Sequence, residues 1–229
     1  GYGIGRIILF FALSSIYYVI IAYPGARIVS RIGAKHSMLL GGVMIITYFL
    51  GLRFLIKGSI LFYILPLILA LKMFFYYIGY HISFGKHSDA PRRGKEVSFT
   101  QGLTITMQVI APFLGGLLAG HSWTLLFMTG SLTMIVGLFP LFMTDDDYEP
   151  IRFQFRGLFQ ATKGNIKAYA GYAIESVIDR TLWPIFLIIA LVTLERTGLI
   201  FTITAFASML IFYYAGRASD NQDNERLLK

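Results

Sequence analysis

Apolar residues in this chain come in long blocks, separated by short clusters of charge. Arg6 and Arg27 enclose 20 residues without a charge, Arg196 and Arg217 enclose another 20, and Val97–Thr144 is uncharged for 48. A helix crosses the hydrocarbon core of a bilayer with about 20 predominantly apolar residues. The 48-residue run therefore predicts two spanning helices joined by a tight turn. On the same basis seven spans are predicted: Ile7–Tyr23, Met38–Ile56, Ile60–Phe84, Phe99–Ala119, Trp123–Met143, Tyr172–Val192 and Gly198–Ala215. The predicted class is an all-α membrane protein.

Composition agrees with that class. Charged residues make up 14% of the 229, against about 25% in a soluble domain. The absence of cysteine excludes disulfides, Cys-based zinc sites and a thiol nucleophile. The net charge of +8 would suit an acidic partner or a nucleic acid if it formed one patch, but the basic residues sort by loop. Fourteen lie in one set of loops: Arg27, Arg31 and Lys35; Lys86, Arg92, Arg93 and Lys95; Arg152, Arg156, Lys163 and Lys167; Arg217, Arg226 and Lys229. Only four, Arg6, Arg53, Lys57 and Arg196, fall in the other set. Short basic loops stay in the cytoplasm, so the first span is expected to run inward through a plasma or inner membrane. The positive charge is then read as topology and contact with anionic lipid, with no nucleic-acid partner. Gly1 at the start and the basic stretch ending at Lys229 read as the ends of an internal piece of a longer chain.

Two loops and one helix carry a family resemblance. Tyr23-Pro-Gly-Ala-Arg27-Ile-Val-Ser30-Arg31-Ile-Gly33-Ala-Lys35 resembles the Gly-x-x-x-Asp-Arg-x-Gly-Arg-Lys loop between helices 2 and 3 of the major facilitator superfamily. Arg31, Gly33 and Lys35 match; Ala26 stands for the Gly and Ser30 for the Asp. Tyr213-Tyr-Ala-Gly216-Arg217-Ala-Ser-Asp220 restores both, without the basic-x-Gly that follows. In one frame Tyr23, Ala26 and Arg27 align with Tyr213, Gly216 and Arg217, 190 residues on, as a parallel repeat of two half-transporters would leave them. Ala111-Pro112-Phe-Leu-Gly115-Gly116 is similar to the family's Gly-Pro-x-x-Gly-Gly segment of helix 5.

The resemblance implies helices 2 to 8 of a twelve-helix, two-bundle fold. Residues 1–144 would be the first bundle without helix 1, 145–170 the cytoplasmic link, and 171–229 the start of the second bundle. The link contains Ile151–Ala168, apolar and basic enough to lie on the inner membrane surface, after a solvated acidic turn at Asp145–Glu149. The implied activity is secondary transport of a small solute by alternating access, with proton-coupled export as one form. Arg27, Ser30, Arg31, Gly33, Lys35, Gly216, Arg217 and Asp220 would be the gating-loop motif. Pro112, Gly115 and Gly116 would form a helix-5 hinge, which serves packing or coupling.

Ionisable residues inside spans are costly and mark function or structural pairs. Lys72 lies mid-span, with Tyr76 and Tyr80 on the same face at i+4 and i+8. It is read as a substrate contact or charge partner, against a structural ion pair or a snorkelling lysine. Glu175 and Asp179 stand one turn apart on one face with Arg180 beside them; a proton or cation would relieve their repulsion. Asp179 is the coupling candidate and Glu175 an interfacial residue. Gln101, Thr104 and Gln108 form a stripe that either hydrogen-bonds a polar substrate or joins helices.

An intramembrane enzyme is the rival class. Ser83-x-x-Lys86 has the spacing of a Ser/Lys nucleophile pair, but its Lys-Thr-Gly companion is absent from the sequence. The sequence also has no His-Glu-x-x-His, Gly-x-Ser-x-Gly or phosphate-binding glycine loop. The expectation is a transporter without cofactor or resident metal; the alternatives are a non-transporting sensor or scaffold, then an enzyme.

Overall fold

Gly33 divides the longest helix of the chain. In the computed structural model, which describes residues 2–88, 93–144, 148, 163–191 and 193–220, α1 runs Ile4–Arg53 and is broken only where Gly33 adopts φ 80° and ψ 175°. A positive φ of this size costs an L residue with a side chain but suits glycine. A straight helix of this length would measure about 75 Å at 1.5 Å per residue, far more than a bilayer. Instead its two arms, 4–32 and 34–53, fold back on each other. The Tyr2 hydroxyl donates to the Ile56 carbonyl at 2.6 Å, and Phe10 of the first arm is buried with Ile45 and Tyr48 of the second.

The expected loop after Tyr23 is a correction. The first arm continues through Pro24 to the break, so Arg27, Ser30 and Arg31 are helical and only Gly33 turns the chain. The physical reason lies in α2, Leu61–His87. Gly25 seats the Phe74 ring so closely that no Cβ would fit, while Ala26 and Val29 are buried with Phe74 and Phe75. This buried face holds the helix past the proline. Gly58 (φ 85°) turns the chain between α1 and α2, and the Ser59 hydroxyl accepts the Leu61 N–H at 3.2 Å.

The remaining elements are α3 (Arg93–His121), α4 (Trp123–Met143), a 3₁₀ turn (Lys163–Asn165), α5 (Ile166–Val177), a π turn (Ile178–Leu182), α6 (Trp183–Leu191) and α7 (Leu194–Asp220). There is no strand among the described residues. Among the described residues five helices are long and apolar enough to cross a membrane, α1, α2, α3, α4 and α7. Only 11% of the most apolar window of α1 is buried, and the same share of α3, α4 and α7. Val19, Val136 and Phe139 are among the large apolar residues left exposed. Water would penalise such a surface, whereas lipid tails match it and pair no backbone groups, which favours continuous helices. These are the helices of a membrane protein.

The predicted span 172–192 corresponds to α5, the π turn and α6 in succession. The Trp183 N–H bonds the carbonyl of Ile178, five residues back. Pro184, one position on, lacks an N–H and its ring crowds the carbonyl four residues earlier, which favours the wider turn here.

The chain forms two compact units. One comprises Gly1–His87 with Thr124–Phe186, the other Ser88–Trp123 with Leu187–Lys229. The first is built on α1 packed along α2, with α4 against the second arm: Gly42 faces Leu138, and the Phe49 ring lies over Gly130. The second is α3 paired with α7. Residues 151–162 of the expected surface link, and Asp145–Asp147 and Glu149 before it, lie outside the described residues.

Candidate functional site

Glycines set how close the helices of the first unit come. A Cβ on Gly41 would stand 2.6 Å from the Tyr76 nitrogen, and one on Gly79 would stand 2.6 Å from the Ala34 carbonyl oxygen. The second arm of α1 and α2 therefore meet backbone to backbone, as small residues allow in membrane helices. Beyond Gly79 the side chains are larger and the helices leave a pocket of about 530 Å³ between α1, α2 and α4. That is within the usual range of about 300–1,000 Å³ for ligand pockets.

Chemically the pocket has two parts. Tyr76, Tyr80 and Ser83 line it from α2, with Lys86 and His87 at the helix end and Lys35 across from them on α1. Met38, Phe84, Leu138 and Leu141 supply an apolar wall. Lys35 donates to the Thr144 carbonyl at 2.6 Å, fastening α1 to the end of α4. His87 Nδ1 lies 2.9 Å from the Ser83 carbonyl. A carbonyl only accepts, so the proton of this bond is on Nδ1.

Of the gating-loop residues Lys35 lines this pocket, and Arg27 and Ser30 use short-range partners. The Arg27 guanidinium donates to the Tyr23 hydroxyl and stacks 4.5 Å from that ring's centroid. The Ser30 hydroxyl donates to the Arg27 carbonyl at 2.8 Å, and the Ser30 carbonyl receives the Tyr148 hydroxyl at 3.3 Å. The Tyr148 ring covers Gly33, where a Cβ would come within 2.9 Å of it. Arg31 is exposed. Gly216, Arg217 and Asp220 are in the last turns of α7, and their side chains lie outside the described residues.

The substrate and coupling candidates are dispersed. Tyr76 lines the pocket together with Lys35, a convergence of two residues singled out for different reasons. Lys72, two turns from Tyr80 on α2, is half-buried, with its ammonium 5.3 Å from the Tyr77 ring centroid. Gln101 and Gln108 are exposed on α3, and the Thr104 hydroxyl between them donates back to the Thr100 carbonyl at 2.9 Å. Asp179 lies in the π turn, exposed, and shares a shallow groove with Glu175, Gly171 and Trp183. Wide turns of this kind recur at functional sites. The side chain of Arg180 lies outside the described residues.

Pro112 and Gly116 belong to a seam with α7. A Cβ on Gly116 would stand 2.7 Å from the Leu194 carbonyl oxygen and 3.4 Å from the Gly198 Cα; one on Gly198 would meet the Pro112 carbonyl oxygen. Glu195 lies over Gly120. The Thr202 hydroxyl donates to the Val109 carbonyl at 2.6 Å, next to the stretch where Pro112 removes a helical N–H. Gly115 has no neighbour at its Cβ position. Sequence reasoning missed the partner, Gly198, and missed His87 and Thr144 in the pocket, while Ser83 and Lys86 drew notice only as a discounted nucleophile pair. The signal for both was the scatter of glycines at single helix faces, Gly41, Gly79 and Gly198.

Comparison with known proteins gives no assignment: no family model, curated protein or solved structure matches this chain.

Proposed function

We propose that the chain forms helices 2 to 8 of a facilitator-type secondary transporter, crossing the membrane seven times and moving a small solute by alternating access. The observation that supports this most is the seam between α3 and α7. It joins a helix from before the link Ile151–Ala168 to one from after it, through Gly116 and Gly198 and with almost no side chain between. Small residues let membrane helices approach this closely, and we take the pair, which forms one compact unit, as the point where the two halves of the transporter meet. The two arms of α1 are the second and third helices, turned at Gly33 beside Arg31 and Lys35. Lys72 and Tyr76 contribute to the solute path and Asp179 to proton coupling.

The test is counterflow in proteoliposomes, using this chain together with helices 1 and 9 to 12 of the same polypeptide, which the resemblance implies. Vesicles loaded with unlabelled solute are expected to accumulate the labelled form transiently, and Lys72→Met is expected to stop this without preventing insertion. Absence of exchange across a broad panel of solutes favours a sensor or scaffold of the same architecture. One feature supports that second reading: the Ser30 hydroxyl is spent within its own helix, where the family's carboxylate would stand.

A further inference from the structure

The pocket between α1, α2 and α4 shares Tyr76 with the proposed solute path, but its basic residues are not used by that path. Its rim carries Lys35, Lys86 and His87, and none of its described lining residues is acidic. Lys35 gives one hydrogen to the Thr144 carbonyl; an ammonium has three donors, so this bond does not exhaust it. Tyr76, Tyr80 and Ser83, which carry hydroxyl groups, line the same pocket. The chemistry is that of an anion with several acceptor oxygens.

The same pocket is also lined by apolar Met38, Phe84, Leu138 and Leu141. The α4 surface nearby continues in exposed Phe139, Phe142 and Met143. A soluble phosphate would engage only the polar residues of this site. An amphiphile would use both sets, its head among the bases and its chains along α4. Basic pockets between membrane helices on the cytoplasmic side are suited to phosphate-bearing lipid heads, and these bases belong to the loops assigned to that side.

We infer that this pocket binds the phosphate headgroup of an anionic glycerophospholipid, holding the break of α1 and the ends of α2 and α4 to the inner leaflet. The inference rests on the membrane reading and does not require transport, so a failure of the counterflow assay leaves it standing.

Native mass spectrometry of the purified 229-residue chain in detergent, titrated with phosphatidylglycerol or phosphatidylcholine, tests it. One phosphatidylglycerol is expected to be retained per chain, in preference to phosphatidylcholine. The double variant Lys86→Gln/His87→Gln, which leaves the Lys35–Thr144 bond in place, is expected to weaken retention about tenfold. Lys57→Gln, on the opposite loop, is expected to change nothing. Equal retention of the two lipids, or retention unaffected by the double variant, overturns the inference. Displacement of the lipid by excess inorganic phosphate overturns the lipid assignment in favour of a soluble anion. Should the double variant fail to purify, Tyr80→Phe/Ser83→Ala removes the hydroxyls instead, and retention as strong as in the parent chain contradicts the site.

Discussion

Gly116 of α3 and Gly198 of α7 face each other across a seam that has no room for a side chain on either helix. A Cβ on Gly116 would stand 3.4 Å from the Gly198 Cα, and one on Gly198 would stand 3.3 Å from the Gly116 Cα. In a bilayer, lipid tails offer helices no hydrophobic gain for pairing, so such a contact has to be held by packing and by hydrogen bonds such as Thr202 to Val109.

Neighbouring glycines of α3 should therefore respond in opposite ways. Gly116→Leu is expected to lower the thermal midpoint in detergent by the cost of overpacking, about 1–3 kcal/mol. Gly115→Ala meets open space and removes a helix-interior glycine, which favours the helix by up to about 1 kcal/mol. Equal losses for both would show that the seam does not run along Gly116.

The break in α1 makes a second prediction. Gly33→Ala has to accept both a positive φ and the ring of Tyr148. Backbone strain of this kind costs about 1–3 kcal/mol. In the double variant Gly33→Ala/Tyr148→Ala the clash is relieved but the strain is not, so only part of the loss should be recovered. Denaturation midpoints of the four proteins in the cycle check this; full recovery would mean that φ is not strained.

Lys72 should be separable into charge and shape. Its ammonium lies over Tyr77, an attraction of about 0.5–2 kcal/mol that Arg also makes. Lys72→Arg is expected to retain counterflow and Lys72→Met to lose it, with insertion unchanged in both. Transport by Lys72→Met at the parent rate would remove Lys72 from the solute path.

The proposed coupling role of Asp179 is tested by whether transport depends on pH. The parent rate is expected to vary with pH, because a coupling carboxylate must load and release a proton in each cycle. Asp179→Asn is expected to give a flat profile, and a pH-independent rate in both proteins contradicts the coupling role.

Much of the helix layout was legible because hydropathy reports the medium. Trp123–Met143 is the same in the apolar pattern and in α4, since both its ends fall at turns. For α2 and α3 the pattern gave the lipid-facing part, while the helices extend to His87 and back to Arg93, where water rather than lipid surrounds polar residues. Pro24-Gly25 was misleading: local sequence marks a turn, and only the Phe74 ring seated on Gly25 shows why the helix persists. The π turn had its signal in Pro184, but a wider turn and a simple break read alike in sequence. Of the candidate site, Lys35 and Tyr76 were legible as chemistry, while their convergence depends on Gly41 and Gly79, whose role is distance. Lys72, Gln101 and Gln108 follow helix periodicity, which places residues on a face without saying what that face meets.

The central claim is a chain that crosses the membrane repeatedly with its basic loops on one side. The parent sequence contains no cysteine, so single cysteines can be introduced without background. Arg31→Cys and Lys167→Cys are expected to react with an impermeant maleimide from one face of sealed vesicles, Lys57→Cys and Arg196→Cys only from the other. Labelling of all four from the same face would contradict the account.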